Sequence, residues 1–136
     1  MLIRVIASCS LIATPAIADV WSFNTPSGNI ECTVGEGFEG SDIECTIFQR
    51  SQPARVASLS GCPVSRGVSF YMRNRGGVSA ICAGPEAQPT GAQGVAEYNV
   101  EGKFGGFTCY SATSGLQCRN EDGHGFHLSR ANQQVF

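Results

Sequence analysis

The sequence lacks the features that mark membrane-spanning, helical and nucleic-acid-binding proteins. Its N-terminal apolar run is shorter than the roughly 20 residues that a spanning helix needs, and no later stretch approaches that length. No segment sustains a 3.6-residue apolar period, so helices should be scarce. Lysine and arginine total nine against eleven acidic residues, so the net charge gives no electrostatic reason to bind nucleic acid. We therefore expect no membrane span and no nucleic-acid partner.

Motifs for catalysis and for metal binding are missing as well. The spacing of neither a nucleophile elbow nor a phosphate loop occurs, and no two cysteines are spaced as zinc ligands usually are. His124 and His127 are three residues apart, a spacing that sends side chains of one strand to opposite faces. Even with Asp122 nearby, they are not expected to hold a metal ion together. We expect no catalytic residue, no metal and no cofactor, and therefore no enzyme.

Residues 1–18 predict an export signal. Arg4 stands before or within a short apolar run, and Ala16-Ile17-Ala18 forms a processing site of the A-x-A type. Removal of this segment would leave a single domain of residues 19–136 with eight basic and eleven acidic residues, a net charge of −3. Cys9 loosely resembles a lipidation site, an alternative that the few residues before it disfavour. The prediction is a periplasmic or secreted protein.

Six cysteines follow the predicted signal. An even number in an exported chain of this size predicts disulfides between all of them. The local pattern favours pairs between sequence neighbours, each bridging one hairpin, although sequence alone leaves other pairings open. The predicted disulfides are Cys32–Cys45, Cys62–Cys82 and Cys109–Cys118.

Apolar and polar residues alternate in short segments, as in strands with one buried face. In 29–34, Ile30, Cys32 and Val34 share a face, and 42–47 repeats the pattern. Further strands are predicted at 20–23, 68–72, 78–82, 96–100, 107–111 and 125–129. They are separated by a polar connection at 49–60 with room for one helical turn, an exposed loop at 83–94 and a polar tail at 131–136. The predicted fold is all-β, a small antiparallel barrel or sandwich of about seven or eight strands stapled by hairpin disulfides.

The most regular part of the chain is the predicted hairpin around Cys109 and Cys118. If these cysteines face each other, Ala112 lies opposite Gly115, and the loop between them is 113–114, or is slightly wider with Gly115 in a left-handed conformation. In the next hairpin, 122–123 is the predicted turn pair, with Phe126 filling the core behind it. His124 would then only cap backbone groups.

These two hairpins also allow a second interpretation, a recognition edge. Loops on a rigid scaffold commonly carry binding residues, and hydroxyl, imidazole and guanidinium donors near these turns could enter an acidic cleft on a partner protein. The predicted partner-binding residues are Ser114, Gly115, Arg119, His124, Phe126, Ser129 and Arg130.

Two motifs resemble a known family. Phe23-x-Thr-Pro-Ser-Gly-Asn-Ile-x-Cys32 and Ser114-Gly-Leu-x-Cys-x-Asn-x-x-Gly-His-Gly-Phe-x-Leu-Ser-Arg130 are similar to motifs of small exported bacterial proteins of the DUF6636 type, a domain of unknown function. The similarity covers nearly all of residues 19–136. The middle departs from the family, which often has Asp before the third cysteine and Tyr-Gly before the last hairpin. This chain has Gly61-Cys62 and Tyr98-Asn99 there. The resemblance implies export but no established activity.

A looser similarity is to bacterial inhibitors of lysozyme and related peptidoglycan hydrolases, small periplasmic all-β proteins whose Ser-Gly loop blocks the hydrolase cleft. It implies a protein partner, with Ser114, Gly115 and Arg119 facing the paired carboxylates of such a cleft. We therefore expect a non-enzymatic binding protein, with hydrolase inhibition as the leading hypothesis. An envelope-associated structural or adhesive module is the alternative. A small-ligand binder would need an apolar opening, which the sequence does not reveal.

Overall fold

The computed structural model describes residues 19–136, so the predicted signal peptide at residues 1–18, with Cys9, lies outside the described residues. The described chain forms eleven strands and one 3₁₀ helix, Ala57–Leu59, which is the helical turn expected in the 49–60 connection. The all-β prediction is confirmed, with eleven strands in place of seven or eight. The strands are β1 (Asp19–Asn24), β2 (Ile30–Gly37), β3 (Gly40–Ile47), β4 (Val68–Arg73), β5 (Ser79–Cys82), β6 (Gly94–Val95), β7 (Val100–Phe104), β8 (Phe107–Ala112), β9 (Gly115–Arg119), β10 (Gly125–Leu128) and β11 (Gln133–Val135).

The strands form two sheets that face each other as a sandwich and do not close into a barrel. The first sheet has the order β5-β4-β3-β2-β1-β6, and the second has the order β11-β10-β9-β8-β7. Paired strands are antiparallel except for β1 and β6, which run parallel. The predicted loop at 83–94 is irregular until Gly94, where β6 begins and adds one edge to the first sheet.

Each sheet contributes one face to a shared apolar core. On β2, Ile30, Cys32 and Val34 are at most 5% exposed, as the alternating pattern predicts. Across the sandwich, the rings of Phe70 and Phe126 pack with their centroids 5.7 Å apart. Burial of a large apolar side chain stabilises the folded state by about 1.5–3 kcal/mol, so this core holds the two sheets together.

The three predicted disulfides are present. Two join residues that lie directly opposite each other on paired strands, Cys32 with Cys45 and Cys109 with Cys118. The third differs from the predicted hairpin bridge, because Cys62 lies in the turn after the 3₁₀ helix and not in a strand. The Cys62–Cys82 disulfide therefore fastens an irregular segment to β5, whose hairpin partner is β4.

Strand β7 lies later in the chain than predicted. The predicted strand at 96–100 is wrong, because 96–99 is irregular and the strand runs from Val100 to Phe104. The chain then reverses at Gly105 and Gly106, whose φ angles are +57° and +84°. Two consecutive positive φ angles are what a tight two-residue hairpin turn requires. The two consecutive glycines in the sequence therefore indicate a turn at 105–106 and a strand that ends at Phe104.

The predicted polar tail at 131–136 contains strand β11, which pairs with β10. Its first residue, Gln133, is fully buried. The Gln133 side-chain amide donates hydrogen bonds to the carbonyl oxygens of Ser129 and Arg130 at 2.6 and 3.0 Å. Its oxygen accepts a hydrogen bond from the guanidinium of Arg50, which is itself 8% exposed. Burial lowers the pKa of Arg50. A polar residue is buried here because its own turn and the distant Arg50 together satisfy its hydrogen bonds.

The turn between β9 and β10 is fastened to the turn between β4 and β5, an arrangement that we call the turn clamp (120–122 with 73–76). The side-chain amide of Asn120 donates to the carbonyl oxygens of Arg73 and Gly76 at 3.0 and 2.8 Å. The carboxylate of Asp122 accepts a hydrogen bond from the backbone N–H of Gly76 at 3.0 Å. Because these turns belong to different sheets, the turn clamp joins the sheets at one end of the sandwich.

The loop within the turn clamp is longer than predicted. It contains the three residues 121–123, since the backbone N–H of Asn120 donates to the carbonyl of His124 and closes the hairpin. Gly123 has φ +87°, the left-handed conformation that usually ends a three-residue hairpin loop. The predicted turn pair 122–123 is therefore corrected to a three-residue loop ending at Gly123.

Gly125 lies where three parts of the chain meet closely. A Cβ atom at this position would lie 2.0 Å from the carbonyl oxygen of Cys118 and 2.8 Å from the ring of Phe136. The backbones of Gly125 and Phe136 also exchange two hydrogen bonds. Only glycine fits this contact between β9 and β10.

Gly125→Ala should destabilise the protein by about 1–3 kcal/mol, the usual cost of overpacking, because the backbone of β9 cannot move aside as a flexible side chain can. Urea denaturation followed by circular dichroism measures the free energy of unfolding. Gly84→Ala is the matched control, since an added methyl group there meets nothing within 4 Å. Equal stability of the two variants would contradict the close contact at Gly125.

Replacement of Asp122 by Asn should make the stability of the turn clamp less dependent on pH. The hydrogen bond from Gly76 lowers the pKa of Asp122, and the charge of His124 lowers it further. Because the folded pKa lies below the unfolded value of about 3.9, ionised Asp122 stabilises the fold above that pH. This contribution is lost as the pH falls through the folded pKa.

Thermal unfolding of both proteins between about pH 7 and pH 2 checks this prediction. Wild type should have the higher melting temperature at neutral pH, and the difference should shrink in acid. A difference of constant size over the whole range would show that the charge of Asp122 does not contribute.

Candidate functional site

Four of the predicted partner-binding residues lie together at one end of the second sheet. Ser114 and Gly115 lie at the β8–β9 turn, and Ser129 and Arg130 lie at the neighbouring β10–β11 turn. The Ser129 hydroxyl accepts a hydrogen bond from the backbone N–H of Asn132 at 3.1 Å, so it stabilises its own turn. The guanidinium of Arg130 donates to the side-chain oxygen of Gln49 at 2.7 Å. Of these side chains, only the hydroxyl of Ser114 is both exposed and free of hydrogen bonds to the described part of the chain.

The other three predicted residues lie elsewhere. Arg119 ends β9, about 13 Å along the strand from Gly115 at roughly 3.3 Å per residue. The exposed side chain of His124 follows the turn at that same far end. Phe126 is completely buried, so it supports the fold and cannot touch a partner directly. The structure thus does not bring the seven residues together as one recognition edge.

Ser114 and Arg119 nevertheless border one depression on the outer face of the second sheet. We call it the outer groove, a concavity of about 290 Å³ that extends across β7, β8, β9 and β10. Its lining includes Ser114, Gly115, Arg119, Glu101, Tyr110 and His127. The groove therefore connects the two ends of β9 that carry the predicted hydroxyl and guanidinium donors.

The charges of the outer groove leave one cation available. Glu101 has a lysine partner, since the Lys103 ammonium is 3.9 Å from its carboxylate. Arg119 is exposed, and its guanidinium forms no salt bridge within residues 19–136. An exposed guanidinium without a carboxylate partner can bind a carboxylate on another molecule through two parallel hydrogen bonds.

The turn that presents Ser114 is rigid. Ala112 pairs with Gly115, so the predicted two-residue loop 113–114 is confirmed. A side chain on Gly115 would lie 2.5 Å from the carbonyl oxygen of Leu128 and 2.9 Å from the ring of His127. The Cys109–Cys118 disulfide joins the two strands of the same hairpin, three residues before Ala112 and three residues after Gly115. Packing and a covalent bond therefore both hold the tip in one conformation.

A second concavity contains residues that the sequence analysis did not predict. It lies between the two sheets, next to the edge strands β6 and β7, and measures about 290 Å³. Trp21, Phe104 and Ser111 line it. One signal for it was present in the sequence: Ser111 continues the inward alternation of Phe107 and Cys109, so it places a polar group at a core position.

Within residues 19–136, no three histidine, cysteine, aspartate or glutamate side chains come together as ligands of a metal ion would. The same part of the chain has no helix with the length and apolar character needed to cross a bilayer. All six cysteines from Cys32 onward are oxidised to disulfides, as is typical of proteins that fold in an oxidising compartment.

Comparison with known proteins identifies a family but no function. No curated protein and no solved structure matches the chain, so the similarity to hydrolase inhibitors has no support from these comparisons. A family model described as "Family of unknown function (DUF6636)" matches residues 2–136, which confirms the resemblance of the two end motifs. Because the match covers nearly the whole sequence, the chain belongs to the DUF6636 family.

Proposed function

We propose that this protein is a non-enzymatic, periplasmic or secreted binding protein that inhibits a peptidoglycan hydrolase. The β8–β9 turn enters the cleft of the hydrolase with Ser114 leading, and the outer groove receives one rim of that cleft. The observation that carries the proposal is the exposed position of Ser114 at the tip of a hairpin that a disulfide crosses.

Rigidity of the hairpin supports inhibition because ordering a loop on binding costs free energy. A side chain that is immobilised at an interface costs about 0.5–1.5 kcal/mol. The β8–β9 turn is already fixed by the close contacts of Gly115 and by the Cys109–Cys118 disulfide. The backbone of the turn therefore needs little further ordering when it enters a cleft, and the cost that remains is that of exposed side chains such as Ser114 and Arg119.

The donors of the outer groove match the chemistry of such a cleft. Glycoside hydrolases that cleave by acid–base chemistry carry a pair of carboxyl groups beside the scissile bond. The Ser114 hydroxyl can donate a hydrogen bond to one of them, and the Arg119 guanidinium can bind a carboxylate on the rim. Both side chains are exposed.

Inhibition is measured as the rate at which a lysozyme-type enzyme clears a suspension of bacterial cell walls. The purified, oxidised protein should slow clearance at micromolar concentration. Ser114→Ala and Arg119→Ala should each raise the concentration for half-inhibition about tenfold, the effect of losing one important interface side chain.

His124→Ala is the matched control, because His124 is also exposed but does not line the outer groove. It should inhibit as wild type does. Absence of inhibition by wild type against several hydrolases would overturn the proposal. Full inhibition by a Ser114→Ala/Arg119→Ala double variant would overturn the assigned surface.

A further inference from the structure

The concavity between the sheets, which we call the edge cleft, has mainly apolar walls. It lies where β6 ends the first sheet and β7 ends the second. Trp21 and Phe23 of β1 reach across the sandwich to Phe104 of β7, with ring centroids 4.7 and 5.7 Å from that of Phe104 in edge-to-face contact. These rings make the edge cleft a concave aromatic surface, as small-molecule sites usually are.

One polar group at the edge cleft has no partner. Ser111 is 1% exposed, and its hydroxyl makes no hydrogen bond with any described residue. A buried hydroxyl without a hydrogen bond is unfavourable by about 1–3 kcal/mol, and native structures contain few such groups. Ser111 follows the inward alternation of Phe107 and Cys109 and lines the edge cleft. A ligand in the cleft is the group that could complete its hydrogen bonding.

The space in the edge cleft depends on a missing side chain in β7. Val100, Gly102 and Phe104 alternate along the strand and line the cleft. Gly102 does not have a positive φ, so its backbone conformation is open to other residues. A Cβ atom at Gly102 would meet the ring of Phe104 at 3.4 Å and otherwise nothing within 4 Å. The backbone would therefore accept a larger residue at position 102, and the glycine there leaves space in the edge cleft.

The charge of the edge cleft disfavours an anionic ligand. Glu97 is the one charged residue in its lining, and the remaining lining is apolar apart from Ser111 and backbone groups. A carboxylate ligand would lie in an apolar site near another carboxylate, with no cation to compensate its loss of hydration. An uncharged molecule avoids both costs.

We propose that the edge cleft binds an uncharged apolar molecule that carries one hydroxyl or carbonyl group. The polar group forms a hydrogen bond with the Ser111 hydroxyl, and the hydrocarbon part contacts Trp21 and Phe104. An apolar cavity of about 150 Å³ holds benzene, so a volume of about 290 Å³ fits roughly twelve non-hydrogen atoms by the same scale. The chemical class is that of a medium-chain alcohol, aldehyde or ester.

The single tryptophan of the chain, Trp21, reports directly on this site. Titration with 1-octanol should shift its fluorescence emission to shorter wavelength and reach saturation, because the ligand covers the indole ring. Octanoate, which has the same chain length and a negative charge, should bind at least about tenfold more weakly, since burial of an unpaired charge is costly. Absence of a saturable change with 1-octanol, or equal binding of octanoate, would overturn the proposal.

Ser111→Ala separates a ligand-binding role from a structural one. Loss of one hydrogen bond should weaken 1-octanol binding by about 2- to 10-fold. The ligand-free variant should melt at the same temperature as wild type or higher, because a buried hydroxyl without a partner has been removed. Unchanged affinity, or a lower melting temperature, would show that the hydroxyl does not serve a ligand.

Gly102→Val should abolish 1-octanol binding, because the added side chain occupies the edge cleft. Gly84→Val is the matched control, with open space around its Cβ position, and should bind as wild type does. Circular dichroism verifies folding, and if Gly102→Val does not fold, the Ser111→Ala titration decides alone. Wild-type affinity in folded Gly102→Val would overturn the proposal.

The Gly102→Val variant should still inhibit the hydrolase as wild type does, since the outer groove lies on the other face of the sheet. Loss of ligand binding and loss of inhibition are therefore separate outcomes, and each tests one proposal.

Discussion

The register of two hairpins determines which side chains face the core and which face outward. In each sheet, one pair of cysteines lies directly opposite on neighbouring strands, with Cα atoms 4.0 Å apart for Cys32 and Cys45 and 4.1 Å apart for Cys109 and Cys118. A shift of one residue in a strand pair would turn every inward side chain outward. The disulfides exclude that shift, and the apolar core favours the same register. The positions of Ser111, Ser114 and Arg119 depend on this register.

Within the second sheet, the register assigns two polar groups to opposite faces. Ser111 lies two residues from Cys109 and shares its inward direction, whereas Arg119 lies next to Cys118 and points outward. The hydroxyl therefore belongs to the edge cleft and the guanidinium to the outer groove. The same hairpin thus contributes to both surfaces, and no residue lines both of them. This separation is why a ligand in the cleft and a partner on the groove are independent possibilities.

Local alternation was sufficient to predict the buried faces and the pairing of β2, β3, β8 and β9, because burial on those strands follows a period of two. It did not predict that β2 continues to Gly37 and that β3 begins at Gly40. It failed where distant residues decide burial. Gln133 is buried because the guanidinium of the distant Arg50 satisfies its amide oxygen, while the nearby carbonyl of Ser129 accepts from its amide nitrogen. Alternation along one strand does not contain the contact with Arg50. The predicted recognition edge was divided for a topological reason. Successive turns of an antiparallel sheet lie at opposite ends, so the turns before and after β9 cannot be neighbours.

Residues 120–126, within the second family motif, are explained mainly by folding. Asn120 joins the sheets through the turn clamp, Gly123 supplies a left-handed conformation, Gly125 allows close contact of β9 with β10, and Phe126 fills the core. Among residues 120–126, the side chain of His124 is exposed and forms no hydrogen bond with the described part of the chain. This part of the motif therefore specifies the sandwich, whereas Ser114, the first residue of the motif, leads the proposed inhibitory turn. The two binding proposals also rest on positions that the fold leaves free, Gly102 and Arg119, and on Ser111, whose hydroxyl has no hydrogen-bond partner in the described chain. Under the two proposals, members of the family that differ at these three positions should bind different molecules.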